Sequence, residues 1–201
     1  MNKPTTSSNA AGRVIIISGP SGSGKTTLHK ALLEGPGLKG KLVKSISATT
    51  RPKRPGERQG KDYLFITPAM FESRIAKGYF LEWEKVFDHY YGTPKRQVLN
   101  LLKKGKHVLM CIDVKGARRI RKEFPNAASI FIKTPTMAIL QNRLRQRASD
   151  PHESLQLRLN VAREELREAK HYDRVVVNGR LDKACRDLNA VVGQALGLDG
   201  G

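Results

Sequence analysis

The sequence predicts an α/β fold, a doubly wound and mostly parallel sheet built on a phosphate-binding loop. Three observations predict it. Gly19-Pro20-Ser21-Gly22-Ser23-Gly24-Lys25-Thr26 fits G-x-x-x-x-G-K-[S/T]. The apolar run Val14 to Ile17 precedes that loop as a buried strand, and Thr26 to Leu33 leaves it with a helical pattern. Short apolar runs and helix-like segments then alternate at four or more places, which implies parallel strands joined by helices on both faces.

The glycines of such a loop let the backbone come close to oxygen anions, and its N–H groups point inward beside a helix N-terminus. Lys25 is placed to bridge the outer phosphates and the Thr26 hydroxyl to ligate Mg²⁺. Residues Gly19 to Thr27 are therefore read as a nucleoside triphosphate site, with Thr26 as its metal-binding side chain.

Leu42 to Ser47 alternates like a half-exposed strand. Ala48 to Glu57 contains two prolines and a glycine, which prevent a helix, so it reads as an ordered loop. Residues 44–61 hold six bases (Lys44, Arg51, Lys53, Arg54, Arg58 and Lys61) against one acid, Glu57. Guanidinium forks at this density suit a phosphate, although a solvated charge run has the same composition. Tyr63 to Ile66 reads as a strand. Pro68 to Lys77 reads as a helix with proline in its first turn and Gly78 ending it.

Phe80-Leu81-Glu82-Trp83 sets a carboxylate inside an apolar stretch, which is costly unless it is paired or meets a ligand. Tyr90-Tyr91-Gly92-Thr93 closes this strand-poor section, and Pro94 to Lys104 is the next helix. His107 to Asp113 is a buried strand ending in an acid. Such an acid either faces a ligand at the carboxyl end of the sheet or caps the following helix. Ser129 to Ile132 is a third strand. Met137 to Arg147 is a helix, Ala148 to Pro151 breaks it, and Glu153 to Lys170 is a long helix. Arg174 to Asn178 is the last strand and Leu181 to Leu196 the terminal helix.

The 201 residues suit one domain with small inserted lobes, and the first twelve read as a disordered polar tail without a secretory h-region. No apolar run approaches the ~20 residues of a membrane span. Two cysteines make no disulfide framework, which points to a reducing cytoplasm, and the five histidines show no metal-ligand spacing. Charge is the unusual feature: 37 Lys and Arg against 18 Asp and Glu, a net +19. A basic excess of this size implies a polyanionic partner, nucleotide or nucleic acid.

The motifs in their order resemble those of guanylate kinases, the GMP-specific P-loop nucleoside monophosphate kinases. The resemblance runs from about Arg13 to Leu196. It rests on the loop Ser18 to Thr27, on Ser47-Ala48-Thr49-Thr50-Arg51-Pro52 with Arg54, Gly56, Glu57, Gly60, Asp62, Tyr63 and Phe65, and on Phe80 to Trp83. Tyr90 to Thr93, Ile112-Asp113, Arg143-Leu144 with Arg147 and Arg158, and Val175 to Asn178 complete it.

The resemblance implies a core (13–43, 94–142 and 161–201), an inserted GMP-binding lobe (44–93) and a small helical lid (143–160). It implies ATP and GMP as substrates, with Mg²⁺ accompanying ATP. Arg51, Arg54, Tyr63 and Tyr91 are then expected at the GMP phosphate. Ser47 and Glu82 are expected at the guanine, with Thr93 and Asp113 nearby. Asn178 is expected near the ATP base, and Lys25, Arg54, Arg143, Arg147 and Arg158 at the transferring group. The chain departs from the family pattern at Cys111, where an acid is usual two residues before Asp113, and at Gly179, where many relatives carry another acid. Two alternatives use the same residues: a non-catalytic guanylate-kinase-like binding domain, and a related sugar-phosphate kinase. Nucleic acid is expected at most as a secondary partner, through weak RNA association, and a homo-oligomer is left open.

Overall fold

The computed structural model describes residues 12–35, 37–86, 88–146 and 155–198. The tail expected over 1–12 lies outside them except for Gly12, and so do the break expected over 148–151 and Arg147. A five-stranded parallel sheet forms the centre, in the order β2-β7-β1-β8-β9. Its strands are β1 (Val14–Ser18), β2 (Leu42–Lys44), β7 (His107–Cys111), β8 (Ala128–Lys133) and β9 (Arg174–Val177). Every pairing within it is parallel.

β1 is buried along its whole length because both faces of the sheet are covered. Its side chains alternate between two cores, as the two-residue period of a strand requires. Ile15 and Ile17 join Leu109, Ile130, Ile132 and Val176 under α1 (Lys25–Glu34) and α7 (Leu181–Leu196). Val14 and Ile16 join Val108, Met110 and Phe131 on the other face, under α3 (Lys95–Lys103) and α4 (Val114–Glu123). Phe131 is fully buried, its ring edge-on to Tyr172 at 5.0 Å between centroids.

Three expectations need correction. The stretch 44–93 is not strand-poor. It carries a second, four-stranded sheet in the order β4-β3-β6-β5, from β3 (Ala48–Thr49), β4 (Leu64–Phe65), β5 (Phe80–Val86) and β6 (His89–Pro94). β3 also runs through the start of the segment read as a loop. A two-residue strand leaves no alternation to read, and β3 is held by ladder partners from distant parts of the chain, Leu64–Phe65 and Tyr91–Gly92. The strand read over Leu42 to Ser47 ends at Lys44, because the Ile46 N–H turns to the Gln97 side chain at 2.9 Å.

The helix α2 (Pro68–Ala76) begins as expected, with the Thr67 hydroxyl accepting from the Met70 N–H. It packs Phe71 flat against Phe80 at 4.4 Å and near Tyr90 at 5.1 Å, giving the second sheet its own small core. The helices α5 (Met137–Gln146) and α6 (Leu155–Arg167) meet through Leu140, Leu144, Leu159 and Ala162, and a 3₁₀ turn over Glu168–His171 ends the second. No helix among the described residues is long and apolar enough to cross a membrane.

Deleting the Phe131 ring empties the layer between the sheet and Tyr172, so Phe131→Ala is expected to lower the unfolding free energy by ~3–5 kcal/mol. Urea denaturation checks this, and a loss under ~1 kcal/mol would contradict its central place.

Candidate active site

The carboxyl ends of β1 and β7 open into a cleft of about 830 Å³, bounded also by the second sheet and by α5 and α6. Open parallel sheets place ligands at this end. The loop after β1 turns through Gly19, Gly22 and Gly24 at φ of 136°, 81° and 92°, backbone that only glycine adopts without strain. At two of them space also excludes a side chain. A Cβ on Gly19 would stand 2.1 Å from the Ile132 carbonyl oxygen, and one on Gly24 2.1 Å from Asn178 Nδ2. Gly24 then starts α1 with no side-chain cap, so the first-turn amides remain directed to the cleft. Lys25 Nζ donates to the carbonyls of Gly19 at 2.5 Å and Pro20 at 2.9 Å, folding the ammonium over the loop. Thr26 is exposed on the cleft wall, while Ser23 is buried beneath.

Asn178 lies under this loop and does not line the cleft. Its side-chain amide donates to the Ser23 carbonyl at 2.8 Å, and its own carbonyl accepts from Arg143 Nη2 at 3.0 Å. Arg143 and Arg158 reach the cleft from α5 and α6.

The opposite wall carries the arginines of the basic stretch. Arg51 is 5% exposed and its Nη2 donates to both oxygens of Glu57, at 2.8 and 3.0 Å. The same carboxylate accepts the Arg54 N–H at 2.9 Å. Burial pushes the Glu57 pKa up, but these donors outweigh it and hold the carboxyl below its ordinary value. Tyr63 and Tyr91 stand edge-on at 6.2 Å, their phenols pushed up by burial. Arg51 lies 5.6 Å from the centre of the Tyr63 ring. Thus Arg51, Arg54, Tyr63 and Tyr91 converge on one corner of the cleft.

Glu82 is 5% exposed and sits on β5 opposite Thr93 of β6. The Thr93 hydroxyl donates to Glu82 Oε1 at 2.5 Å. Burial pushes the Glu82 pKa up to about 7, against the Thr93 bond and with Asp113 adding to the rise. The other oxygen leaves no space above Gly116, where a Cβ would stand 2.7 Å from it. Of the two readings of Asp113, the structure realises the cap: its carboxylate accepts the Gly116 N–H at 2.8 Å and starts α4, while still bordering the cleft. Ser47 borders the cleft as well. Cys111 also lines it, its thiol pushed up by burial despite Lys25 and Lys44.

Glu165 escaped the sequence reading. It faces the cleft from α6, where burial pushes its pKa up to about 7 against the pull of Lys25. The available signal was its place seven residues after Arg158, two turns along one helix face. His29 and Lys44 also line the cleft. Burial, then Lys44, lowers the His29 imidazole to about 4, so it is neutral at physiological pH. Among the described residues no group of three or more His, Cys, Asp or Glu side chains could hold a metal ion.

The sequence matches the family model described as guanylate kinase over residues 11–195. The chain belongs to the guanylate kinase family. It is 44% identical over 181 residues to a guanylate kinase of Rickettsia bellii, covering 90% of this chain and 93% of that one. A guanylate kinase of Caldanaerobacter subterraneus is 44% identical over 182 residues, covering 90% and 86%. The crystal structure of guanylate kinase from Anaplasma phagocytophilum superposes with a TM-score of 0.74 at 30% identity, covering 92% of this chain and 86% of that one. The family places the mostly parallel core with its phosphate-binding loop among the P-loop kinases, as the sequence predicted.

Glu82 has a measurable signature in this family member before any substrate is added. Its folded pKa lies above its unfolded value, so the native state holds a proton that the unfolded chain has released between pH ~4.5 and ~7. Stability contributed by the neutral carboxyl is therefore present below that window and lost as pH rises through it. Glu82→Gln is expected to flatten this fall by up to roughly 3 kcal/mol. It leaves the opposed slopes of Glu165, which lowers stability as pH rises, and His29, whose depressed pKa raises it. Denaturant titrations at pH 5 and 8 check it, and a pH dependence equal to wild type would contradict the buried, neutral Glu82.

Proposed function

We propose that this guanylate kinase family member transfers the terminal phosphoryl group of ATP to GMP, giving ADP and GDP, in the cleft between the parallel sheet and the second sheet. The observation that carries the reading is that one cleft joins the phosphate loop to the buried Glu82–Thr93 pair, with cationic side chains between them. In this reading residues 44–93 form the GMP-binding lobe and 143–160 the lid, whose middle, with Arg147, lies outside the described residues.

Gly19 to Thr27 hold the triphosphate through backbone amides, with Lys25 leaving its carbonyl partners for the outer phosphates. Pro20 and Ser23 shape the loop, and Asn178 fixes its height from below. Arg51, Arg54, Tyr63 and Tyr91 take the GMP phosphate, and the Arg51–Glu57 pair keeps the guanidinium oriented. Arg143 and Arg158 neutralise charge spread over the transferring group, and the family resemblance alone extends this role to Arg147. A phosphate acceptor is already mostly dianionic at neutral pH (second pKa ~6), so no general base is required. The residues fit Mg²⁺: the exposed Thr26 hydroxyl is a hard oxygen ligand, and, with no acidic cluster among the described residues, the ion would be held largely by substrate phosphates and water. Held by Thr26, such an ion would supply charge neutralisation to the substrate phosphates.

Glu82 reads the base. Guanine offers its N1–H and exocyclic amine side by side, and Glu82 accepts both as a carboxylate, because two donors in contact favour the ionised form over the neutral one of the empty site. Adenine offers an unprotonated N1 instead and leaves the buried carboxylate unpartnered. Thr93 holds that carboxylate in place, Ser47 serves the O6 acceptor, and Asp113 sets the position of α4 behind it. The intact loop and Lys25 separate this chain from a binding domain without catalysis. The buried Glu82 separates it from a sugar-phosphate kinase, which has no base to read.

Measuring ADP release with GMP, dGMP, AMP and ribose phosphates as acceptors tests the assignment. GMP is expected to exceed AMP by ~10³ or more in kcat/KM, because a mismatch that strands a buried polar group costs about 3–5 kcal/mol. Glu82→Gln should lower that ratio at least tenfold, and a ratio within twofold of wild type would refute base reading by Glu82. Lys25→Ala is expected to reduce kcat by ~10² or more with a smaller effect on ATP binding, since the ammonium acts on charge that develops during transfer. Near-normal kcat in that variant would refute the phosphate-loop role.

A further inference from the structure

The cleft does not account for the charge of the chain. Setting six of the 37 basic residues aside as phosphate ligands leaves 31 against 18 acids. Part of this surplus is concentrated at the far end of the molecule. In a parallel sheet the residues that precede the strands gather along one edge. β2, β7 and β1 are neighbours, with Leu42 level with His107 and Val14 with Val108. Lys41 and Lys106 therefore stand level ahead of β2 and β7, about 4.8 Å apart, and Arg13, level with His107, precedes β1 beside them. Lys39 in the turn before β2, and Lys103 and Lys104 at the end of α3, flank them.

All six are exposed, and the segments 12–13, 37–41 and 102–107 contain no acid. Among the described residues none of the six pairs with a carboxylate. The contacts that do exist are to backbone carbonyls: Lys106 Nζ to Gly40 at 2.9 Å, and Arg13 to Asn126 at 2.8 Å and to Ala195. The ridge is also fixed in shape, because Lys106 packs so closely on Gly12 that a Cβ there would stand 2.0 Å from its carbonyl oxygen. His107, in the middle, takes the Arg13 N–H on Nδ1 at 3.0 Å. Burial, then Arg13 and Lys41, lower its pKa.

We propose that this amino-terminal edge of the parallel sheet docks the phosphate backbone of double-helical nucleic acid without sequence preference. A duplex presents one negative charge per ~1.7 Å of its axis, enough to face every base of the ridge. The segments carry no Phe, Tyr or Trp on which unpaired bases could stack, which favours duplex over single strand. None of the exposed large apolar side chains lies in them, so the ridge lacks the anchors of a membrane-surface site. β1 spans five residues, ~16 Å, between the ridge and the cleft, so the two surfaces bind independently.

The test is fluorescence anisotropy of a labelled 20-base-pair duplex of arbitrary sequence, as DNA and as RNA, titrated with the full chain between 50 and 200 mM salt. The expected Kd near 100 mM salt is ~1–100 µM, with affinity falling steeply as salt rises. Combining Lys39→Gln, Lys41→Gln, Lys103→Gln and Lys104→Gln should weaken binding at least tenfold and reduce the log–log salt slope by ~3–4. kcat/KM for GMP should stay at the wild-type value, and saturating ADP with GMP should leave duplex binding unchanged. The milder pair Lys103→Gln with Lys104→Gln should lower the slope by ~2, and it decides the matter should the fourfold variant fold poorly. An unchanged slope in either folded variant overturns the proposal. So does displacement of the duplex by ADP and GMP, or tighter binding to vesicles containing phosphatidylserine than to the duplex.

Discussion

The close approach of the phosphate loop to the strand ends beside it is the constraint on which the rest depends. Gly19 lies against the Ile132 carbonyl and Gly24 against Asn178, with no space for a Cβ at either position. These contacts tie the loop to β8 and to the residue after β9, so its height is set by the parallel sheet itself. Asn178 then receives Arg143 from α5 on its carbonyl. One buried amide thereby links the loop, the last strand and the helix that brings an arginine to the cleft. Catalysis by positioned charge needs this rigidity, because donors that reorganise during the reaction lose much of their effect.

The parallel core was legible because its signals are local and redundant. Val14 to Ile17 is apolar on both faces, the loop motif follows at once, and helices return on schedule through Leu196. In the second sheet only β4 was legible, as the strand read over Tyr63 to Ile66. β3 is two residues long and defined by partners 16 or more positions away, and β5 and β6 carry Glu82, Glu84, Lys85 and His89, which break the apolar pattern. The same distinction holds in the site. Lys25 and Thr26 announce themselves through spacing, and Glu82 through the cost of a charge in an apolar run. Glu165 gave a weaker signal: its spacing of seven from Arg158 shares a helix face with it, but an acid on a charge-rich helix is ordinarily solvated, and only the packing of α6 over the loop makes it a cleft residue. Asp113 shows the converse, since a cap and a ligand-facing acid occupy the same sequence position and only geometry separates them.

α4 couples the two sheets. Its first turn is capped by Asp113, its Gly116 makes room for Glu82, and Arg119 binds Glu84 at 2.6 Å on the strand that carries Glu82. The carboxylate that reads the base in our proposal is thus positioned by a helix of the core, although it belongs to the second sheet. Motion of the second sheet relative to the core would move Glu82 against Gly116, so specificity and relative placement of the sheets are linked through one contact.

The electrostatics of the cleft follow from which acids keep their charge. Lys25, Lys30, Lys44, Arg51, Arg54, Arg143 and Arg158 all face it. Glu57 is held ionised by Arg51 and the Arg54 N–H, and it orients more than it neutralises. Glu82 and Glu165 are pushed up to about 7 by burial, so each carries only part of a charge near neutral pH. The Cys111 thiol, at the end of β7, is kept neutral by burial, against the pull of Lys25 and Lys44. The cleft is therefore strongly positive, and two mutually repelling phosphate groups become the partners that best compensate it. A neutral thiol at Cys111 adds no negative charge beside Lys25 and Lys44. The carboxylates offsetting Lys44 are Asp62 and Glu57, at the far wall of the cleft, so the positive field at the phosphate loop is left to the substrates to compensate.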